Sequence, residues 1–434
     1  MDNRNNSPYR PQQLESQPSN QKLSRITVIA AAVAILVAVI GWFATDGFGT
    51  NKAQSTGPGV GVTSSIQEQG LSSGQQATGA ANIDEQVNQK LASLTLEQKV
   101  AQMFIVTPEE LTGAELVSAA GDLTRIAIDD RPVGGIIYNT DNLQDPEQVT
   151  EMLANTQTYS NNACGLPMFL AIDEEGGEAT RIGNNELFDA TDVGPMADIG
   201  ALGDPAQAHQ AALTMGNYLT ALGFNLDFAP VADIANNPES DTMRSRSFGT
   251  TAEQVSPMVA EAVKGFQEAG ILCCVKHFPG IGGALGDSHI AGISSEKSLP
   301  QMQEEELVPF KDAIAEGVPF VMVGHLSCPQ VSGENTPASL SRGVVTDILR
   351  NQLGFTGIII TDSLEMGAIV DSYDANQVAI MAIEAGNDII LMPENFDVAY
   401  RSVLDAVAAG QISEDRIDES VRRIIKTKLT MKGA

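Results

Sequence analysis

From residue 83 to the C-terminus, short apolar runs alternate with longer stretches of helical spacing. The runs are Met103–Val106, Gly135–Tyr138, Met168–Ile172, Phe224–Phe228, Ile271–Val275, Phe320–Val323, Gly357–Ile360 and Asp388–Met392. Near-continuous apolar runs of four or five residues are what parallel strands buried on both faces look like. The segments between them are long enough for right-handed helical crossovers. Eight such units predict an α/β fold, a (β/α)8 TIM-type barrel spanning 83–434, with a doubly wound open sheet as the competing architecture.

The N-terminal part follows a different pattern. Residues 1–25 are polar, rich in Gln, Asn, Ser and Pro, and carry Arg4, Arg10, Lys22 and Arg25 against Asp2 and Glu15; this composition predicts a disordered tail. Ile26–Ala44 follows without a single charge and would cover roughly 28 Å as a helix, enough for one transmembrane span. The basic flank precedes the span and Asp46 follows it, so the tail is expected in the cytoplasm and the C-terminal bulk outside, tethered by a single-pass membrane anchor. A cleaved signal peptide is the rival, but no clear small-x-small site follows the run, and no Cys near its end offers a lipoprotein processing site. Residues 45–82, dominated by Gly, Ser, Thr, Gln and Ala, are expected to form a flexible linker.

Composition narrows the partners. With 55 acidic and 25 basic side chains, a formal net charge of −30, the chain is disfavoured as a nucleic-acid binder, whereas a neutral sugar meets no such barrier. The four cysteines, Cys164, Cys273, Cys274 and Cys328, have neither disulfide-scaffold density nor zinc-site spacing, although one bridge stays open.

Barrel active sites form at the C-terminal ends of the strands, so the residues just after each apolar run are the ones to inspect. Asp173 follows the third run, Asp233 and Arg246 lie beyond the fourth, Lys276 and His277 follow the fifth, His325 the sixth and Asp362 the seventh. Any one alone is more ordinarily a strand-end cap or a solvated charge; their convergence points to chemistry. Val275–Gly292 reads as a long glycine-rich loop able to fold over a pocket. Within it, Asp287 and His289 are one residue apart, so in extended backbone they would project to one side, and the carboxylate could fix the imidazole tautomer. At Gly357–Ile369 an apolar strand delivers Asp362 to the barrel mouth, where a carboxylate can attack an anomeric carbon. The alternative role for Asp362 is a helix N-cap before Ser363–Ile369, and the sequence leaves the two level.

Four segments carry a family resemblance that runs across nearly all of residues 90–430: K-H-F-P-G ending in D-S-H, IDEEGGEATRI at Ile172–Ile182, R-S-F-G at Arg246–Gly249, and TDSLEMGAI. Together they resemble the β-N-acetylglucosaminidases of glycoside hydrolase family 3. The resemblance implies that Asp362 is the nucleophile of a retaining mechanism and that His289, oriented by Asp287, is the proton donor. It implies that Asp173 and Arg181 hold sugar hydroxyls, and that Arg246, Lys276 and His277 contact sugar hydroxyls and the N-acetyl group. It implies no metal or organic cofactor, and as substrates glycans with terminal N-acetylglucosamine, such as muropeptides or chito-oligosaccharides.

Two departures stand out. Where the family commonly has H-G-D-T, this chain has Ile281, Gly282, Gly283 and Ala284, and its E-G-G-R becomes Glu175, Gly176, Gly177 and Glu178. The eighth unit lies near the end of the sequence, so a second domain of the kind many β-glucosidases of the family use to supply their acid is not expected. Three readings therefore compete: an exo-acting hydrolase of peptidoglycan fragments, an N-acetylglucosaminide phosphorylase using the same residues, and a catalytically silent wall-binding protein.

Overall fold

The computed structural model describes residues 73–431 apart from Asp241 and Leu285, with side chains from residue 82. The predicted tail and span at 1–25 and 26–44 lie outside the described residues. Among the described residues no helix is long and apolar enough to cross a membrane.

The described residues open with helix α1 (Ser73–Ser93), which starts inside the stretch expected to be a flexible linker. Its Val87 and Leu91 are buried, and Lys426, in the last helix, pairs with Asp84 over 3.1 Å. The part of α1 from Asp84 onward, inside the predicted domain, thus packs against the C-terminal helix.

The predicted strands all form: β1 (Phe104–Val106), β2 (Gly135–Ile137), β3 (Phe169–Ile172), β4 (Leu226–Asp227), β5 (Leu272–Phe278), β7 (Phe320–Val323), β9 (Ile358–Thr361) and β10 (Ile390–Leu391). They run parallel in the order β10-β1-β2-β3-β4-β5-β7-β9. A bridge between Ile360 and Ile389 joins the two ends, so the sheet closes on itself and the open-sheet alternative is excluded. Two further short strands, β6 (Ile293–Ser294) and β8 (Leu326–Ser327), pair in parallel outside the barrel and were not signalled by the apolar pattern.

The crossover helices include α2 (Asp122–Asp130), α3 (Pro146–Cys164), α4 (Pro205–Leu222), α5 (Ala252–Ala269), α6 (Leu307–Ala315), α7 (Gly343–Gln352, with π winding) and α8 (Ala375–Ala385); α9 (Phe396–Ala408) and α10 (Glu414–Thr430) close the chain. Their ends are written in the sequence. In α3 and α4 an Asp N-cap (Asp145, Asp204) precedes Pro in the first turn, and a left-handed Gly (Gly165, Gly223) stops each helix.

At the opposite end from the strand termini, the buried carboxylate of Asp388 accepts from Arg350 at 2.6 Å, Arg423 at 2.9 Å, Ser420 at 2.7 Å and the Ile359 N–H at 3.0 Å. One side chain therefore ties α7 and α10 to β9. All four cysteines are free and buried; with no bridge, the core rests on apolar packing such as the edge-to-face contacts of Phe169 with Phe320 and Phe278 with Phe310.

Candidate active site

At the C-terminal ends of the strands lies a cavity of about 370 Å³ lined by Asp173, Glu175, Glu178, Arg181, Arg246, Lys276, His277, His289, Asp362, Ser363 and Glu365, with Ile137, Asn139, Ala179, Met322, Met366, Leu391 and Met392. Seven of the eight residues to which the resemblance assigns a site role line it, and the eighth, Asp287, holds one of the seven; Asp233 and His325, the other two strand-end residues, lie behind its wall. A larger cavity of about 620 Å³ beside Met196–Ala201 is lined by small and polar residues together with Pro238 and Phe248, with Arg244 its one charged lining residue among those described. It brings together no acid and base, so the chemistry belongs to the smaller cavity.

Its floor is a linked set of charges. Lys276 Nζ, at the end of β5, lies 2.6 Å from Asp173 Oδ1 and 2.7 Å from Glu175 Oε1. The Arg246 guanidinium grips Glu175 with both arms at 2.7 Å. Burial would push the Glu175 carboxyl up, but the Lys276 ammonium and Arg246 guanidinium beside it outweigh that and hold it well below the usual carboxylate range. Burial likewise opposes the charge on Lys276, and Asp173 and Glu175 reverse the effect and raise it. Glu175 was visible in the sequence only as part of a motif; here it is the counter-ion that lets two cations share one buried corner.

His277 is fixed from below. Asp233 Oδ2 lies 2.7 Å from His277 Nδ1 and accepts from the His277 backbone N–H at 3.0 Å, while its Oδ1 accepts from Ile281 N–H at 2.6 Å. The carboxylate holds Nδ1 as the N–H side and turns Nε2 toward the cavity. The Lys276–His277, Phe278–Pro279 and Ala229–Pro230 peptides are cis.

Asp287 and His289 do form a pair, with Nδ1 2.7 Å from Oδ1. The backbone is a turn rather than the expected extended segment: His289 N–H also donates to Asp287 Oδ1 at 2.9 Å, and Ile290 and Ala291 donate to the Asp287 carbonyl. An Asx-type turn thus brings the ring back over its own partner. Modest burial raises the Asp287 carboxyl, but the His289 N–H groups outweigh it and keep it below its ordinary value. His289 itself is largely exposed, with 59% of its side-chain surface accessible.

Asp362, just beyond β9, is half-buried. Burial pushes its carboxyl up; His277, the Ser363 N–H at 2.8 Å and Lys276 offset this, and it stays below its usual value as a free carboxylate. The helix that follows begins only at Gly367, with Met366 as its N-cap, so the capping role left open for Asp362 is not the one it plays.

Several contributors carried weak sequence signals or none. Glu174 is fully buried and accepts from the backbone N–H groups of Arg181, Ile182 and Gly183 and from Tyr218 Oη, which shapes the loop that presents Arg181. Met392, after β10, lines the cavity in the left-handed region at φ 42°, a conformation costing a non-glycine residue about 1–3 kcal/mol. Among the described residues no group of three or more His, Cys, Asp or Glu is arranged to hold a metal ion.

Comparison with known proteins agrees with this geometry. Residues 95–427 match the model of the glycosyl hydrolase family 3 N terminal domain. The chain is 31% identical over 356 residues to "Beta-hexosaminidase LpqI" of Mycobacterium tuberculosis, covering 79% of this chain and 84% of that one. It is 31% identical to "Beta-hexosaminidase A" of Pseudoalteromonas piscicida over 70% of this chain, but that match spans only 54% of the relative's length. A solved family 3 β-N-acetylglucosaminidase from Paenibacillus sp. str. FPU-7 superposes with a TM-score of 0.73 at 41% identity, over 77% of this chain and 62% of that one. With a family match across most of the barrel and the polar strand ends assembled in one cavity, the chain belongs to glycoside hydrolase family 3.

Proposed function

We propose that this chain is an exo-acting, retaining β-N-acetylglucosaminidase that hydrolyses terminal β-linked N-acetylglucosamine, with Asp362 as nucleophile and His289 as acid/base. The observation carrying the reading is that an ionised carboxylate and an exposed, carboxylate-oriented imidazole line one cavity. At about 370 Å³ it lies at the low end of ligand sites, about 300–1,000 Å³, and suits one terminal sugar better than a long glycan. The names of the relatives point the same way.

In the first step an Asp362 oxygen forms a bond to the anomeric carbon as the glycosidic C–O bond breaks. The leaving oxygen takes the proton from His289 Nε2, and Asp287 stabilises the imidazolium beforehand through Nδ1–H. In the second step water adds to the same carbon, gives its proton to Nε2, and the ester to Asp362 breaks. Asp173, Arg181, Arg246, Lys276 and His277 hold the sugar. Water rather than phosphate is the acceptor in this reading because the cations Arg246 and Lys276 are already matched by Glu175 and Asp173, while Glu178 and Glu365 bring further negative charge to the cavity. Assay on an aryl N-acetyl-β-glucosaminide, with and without phosphate, should release free N-acetylglucosamine in both cases; sugar 1-phosphate would identify a phosphorylase, and no turnover a silent binding protein.

The glycans proposed are peptidoglycan fragments reached from a membrane tether at 26–44, supported by the charge-free run and its basic flank. Protease shaving of intact cells should release a fragment cut within 45–82; resistance until lysis would contradict the outside location.

A further inference from the structure

His325, immediately after β7, is fully buried and does not line the cavity. Both ring nitrogens are engaged: Nε2 lies 2.8 Å from the Ser363 carbonyl oxygen and Nδ1 2.8 Å from Ser339 Oγ. A carbonyl can only accept, so Nε2 carries the hydrogen. Burial lowers the pKa of the ring despite the nearby Asp362 charge; the neutral ring then has a bare Nδ1, and the Ser339 hydroxyl donates to it. Ser339 is itself held, its N–H donating to the Gly324 carbonyl at 3.2 Å and its carbonyl accepting from Asn387 Nδ2 at 2.7 Å. At the other end, Ser363 N–H donates to Asp362 Oδ1. The direction of every bond from Ser339 to Asp362 is therefore fixed.

We propose that His325 is a positioning residue for the nucleophile: by donating to the Ser363 carbonyl and accepting from Ser339, it locks the peptide turn that aims the Asp362 carboxylate into the cavity. An ordinary buried histidine would satisfy its nitrogens on any nearby groups. Here one partner is the residue that hydrogen-bonds the carboxylate, and the other, Ser339, is tied to Gly324 just after β7 and to Asn387 just before β10. The inference rests on reading Asp362 as the nucleophile.

The test compares His325→Phe, which fills the space without the donor, with His325→Gln, whose amide can donate to Ser363 and accept from Ser339. For His325→Phe, kcat and the rate at which a 2-fluoro sugar labels Asp362 should each fall about 10- to 100-fold, the effect of removing one buried hydrogen-bonding group. KM should stay nearly constant, and the loss should be equal on aryl glycosides and a natural disaccharide, because nucleophile aim does not depend on the leaving group. His325→Gln should recover most of the rate. A loss carried by KM, a loss confined to poor leaving groups, or a Gln variant as impaired as Phe would overturn the proposal. If His325→Phe does not fold, Ser339→Ala, which frees Nδ1, should still lower kcat at constant KM, and an unchanged kcat there would equally overturn it. A wild-type enzyme that labels elsewhere would instead sink the nucleophile reading.

Discussion

Gly367 N–H donates to the His289 carbonyl over 3.1 Å, so the loop carrying the proposed acid/base His289 is fastened to the turn that follows the proposed nucleophile Asp362. Ala368 repeats the contact one residue on, donating to the Ser288 carbonyl at 3.2 Å. A Cβ at Gly367 would lie 2.5 Å from the Ile290 carbonyl oxygen and 3.0 Å from that of His289, so only glycine lets the two backbones approach this closely. With β6 pairing to β8 at its far end, the loop is held over the cavity although its Ile281–Ala284 stretch departs from the family pattern.

Gly367→Ala should therefore push His289 outward while leaving Asp362 on its strand. Turnover of a disaccharide should drop about tenfold or more, as loss of an aligned general acid would give, with a smaller loss on activated aryl glycosides. Equal losses on both, or slower labelling of Asp362, would show that the nucleophile had moved instead.

Glu175→Gln removes the carboxylate shared by Lys276 and Arg246 and leaves two buried cations facing each other. Breaking one partner of a buried pair costs about 3–5 kcal/mol, so the thermal midpoint should fall clearly and KM should rise as Lys276 and Arg246 lose their positions. Measured together, an unchanged midpoint and an unchanged KM would show that Asp173 alone suffices as counter-ion.

How much of this could be read from the chain depended on how local the signal was. The eight strands are continuous apolar runs whose positions can be read locally, and Asp362, His289 and Lys276 sit next to such runs or to glycines that mark a loop. Asp287 and His289 were legible as a pair because they are neighbours, although the Asx turn that joins them was not. What escaped were partners brought together only by closure of the barrel. Asp233 and His277 are separated by 44 residues in the chain, Glu175 and Arg246 by 71, and Lys428 and Gln102 by 326. Helix α1 begins ten residues before the expected start of the domain, where the sequence carries a weak apolar pattern of its own.

Lys428 offers a test of the fold through pH. It is fully buried, donating to Gln102 Oε1 at 2.8 Å and lying 4.8 Å from the centre of the Phe169 ring, and burial pushes its pKa down from 10.5 to about 7. The unfolded chain keeps an ordinary lysine, so between pH 10.5 and 7 it binds a proton that the folded protein refuses. Stability from this site should fall as pH drops through that window and level off below it. Lys428→Met should therefore gain on the wild type at pH 7 relative to pH 10.5, by on the order of 2–4 kcal/mol. Denaturation curves at the two pH values check this; a gap that does not change with pH would mean that Lys428 stays charged.

The central claim is that His289 delivers the proton to the leaving group, and the leaving-group dependence of His289→Ala tests it most directly. Comparing kcat/KM of wild type and variant on a natural disaccharide and on an aryl N-acetyl-β-glucosaminide, the disaccharide should lose about 10²–10⁴-fold and the aryl glycoside, whose leaving group needs little protonation, far less. Equal losses on both substrates would contradict the account. They would leave His289 as a support for loop or sugar and turn attention to Glu365, a cavity carboxyl whose pKa is raised by its desolvation, as the source of the proton.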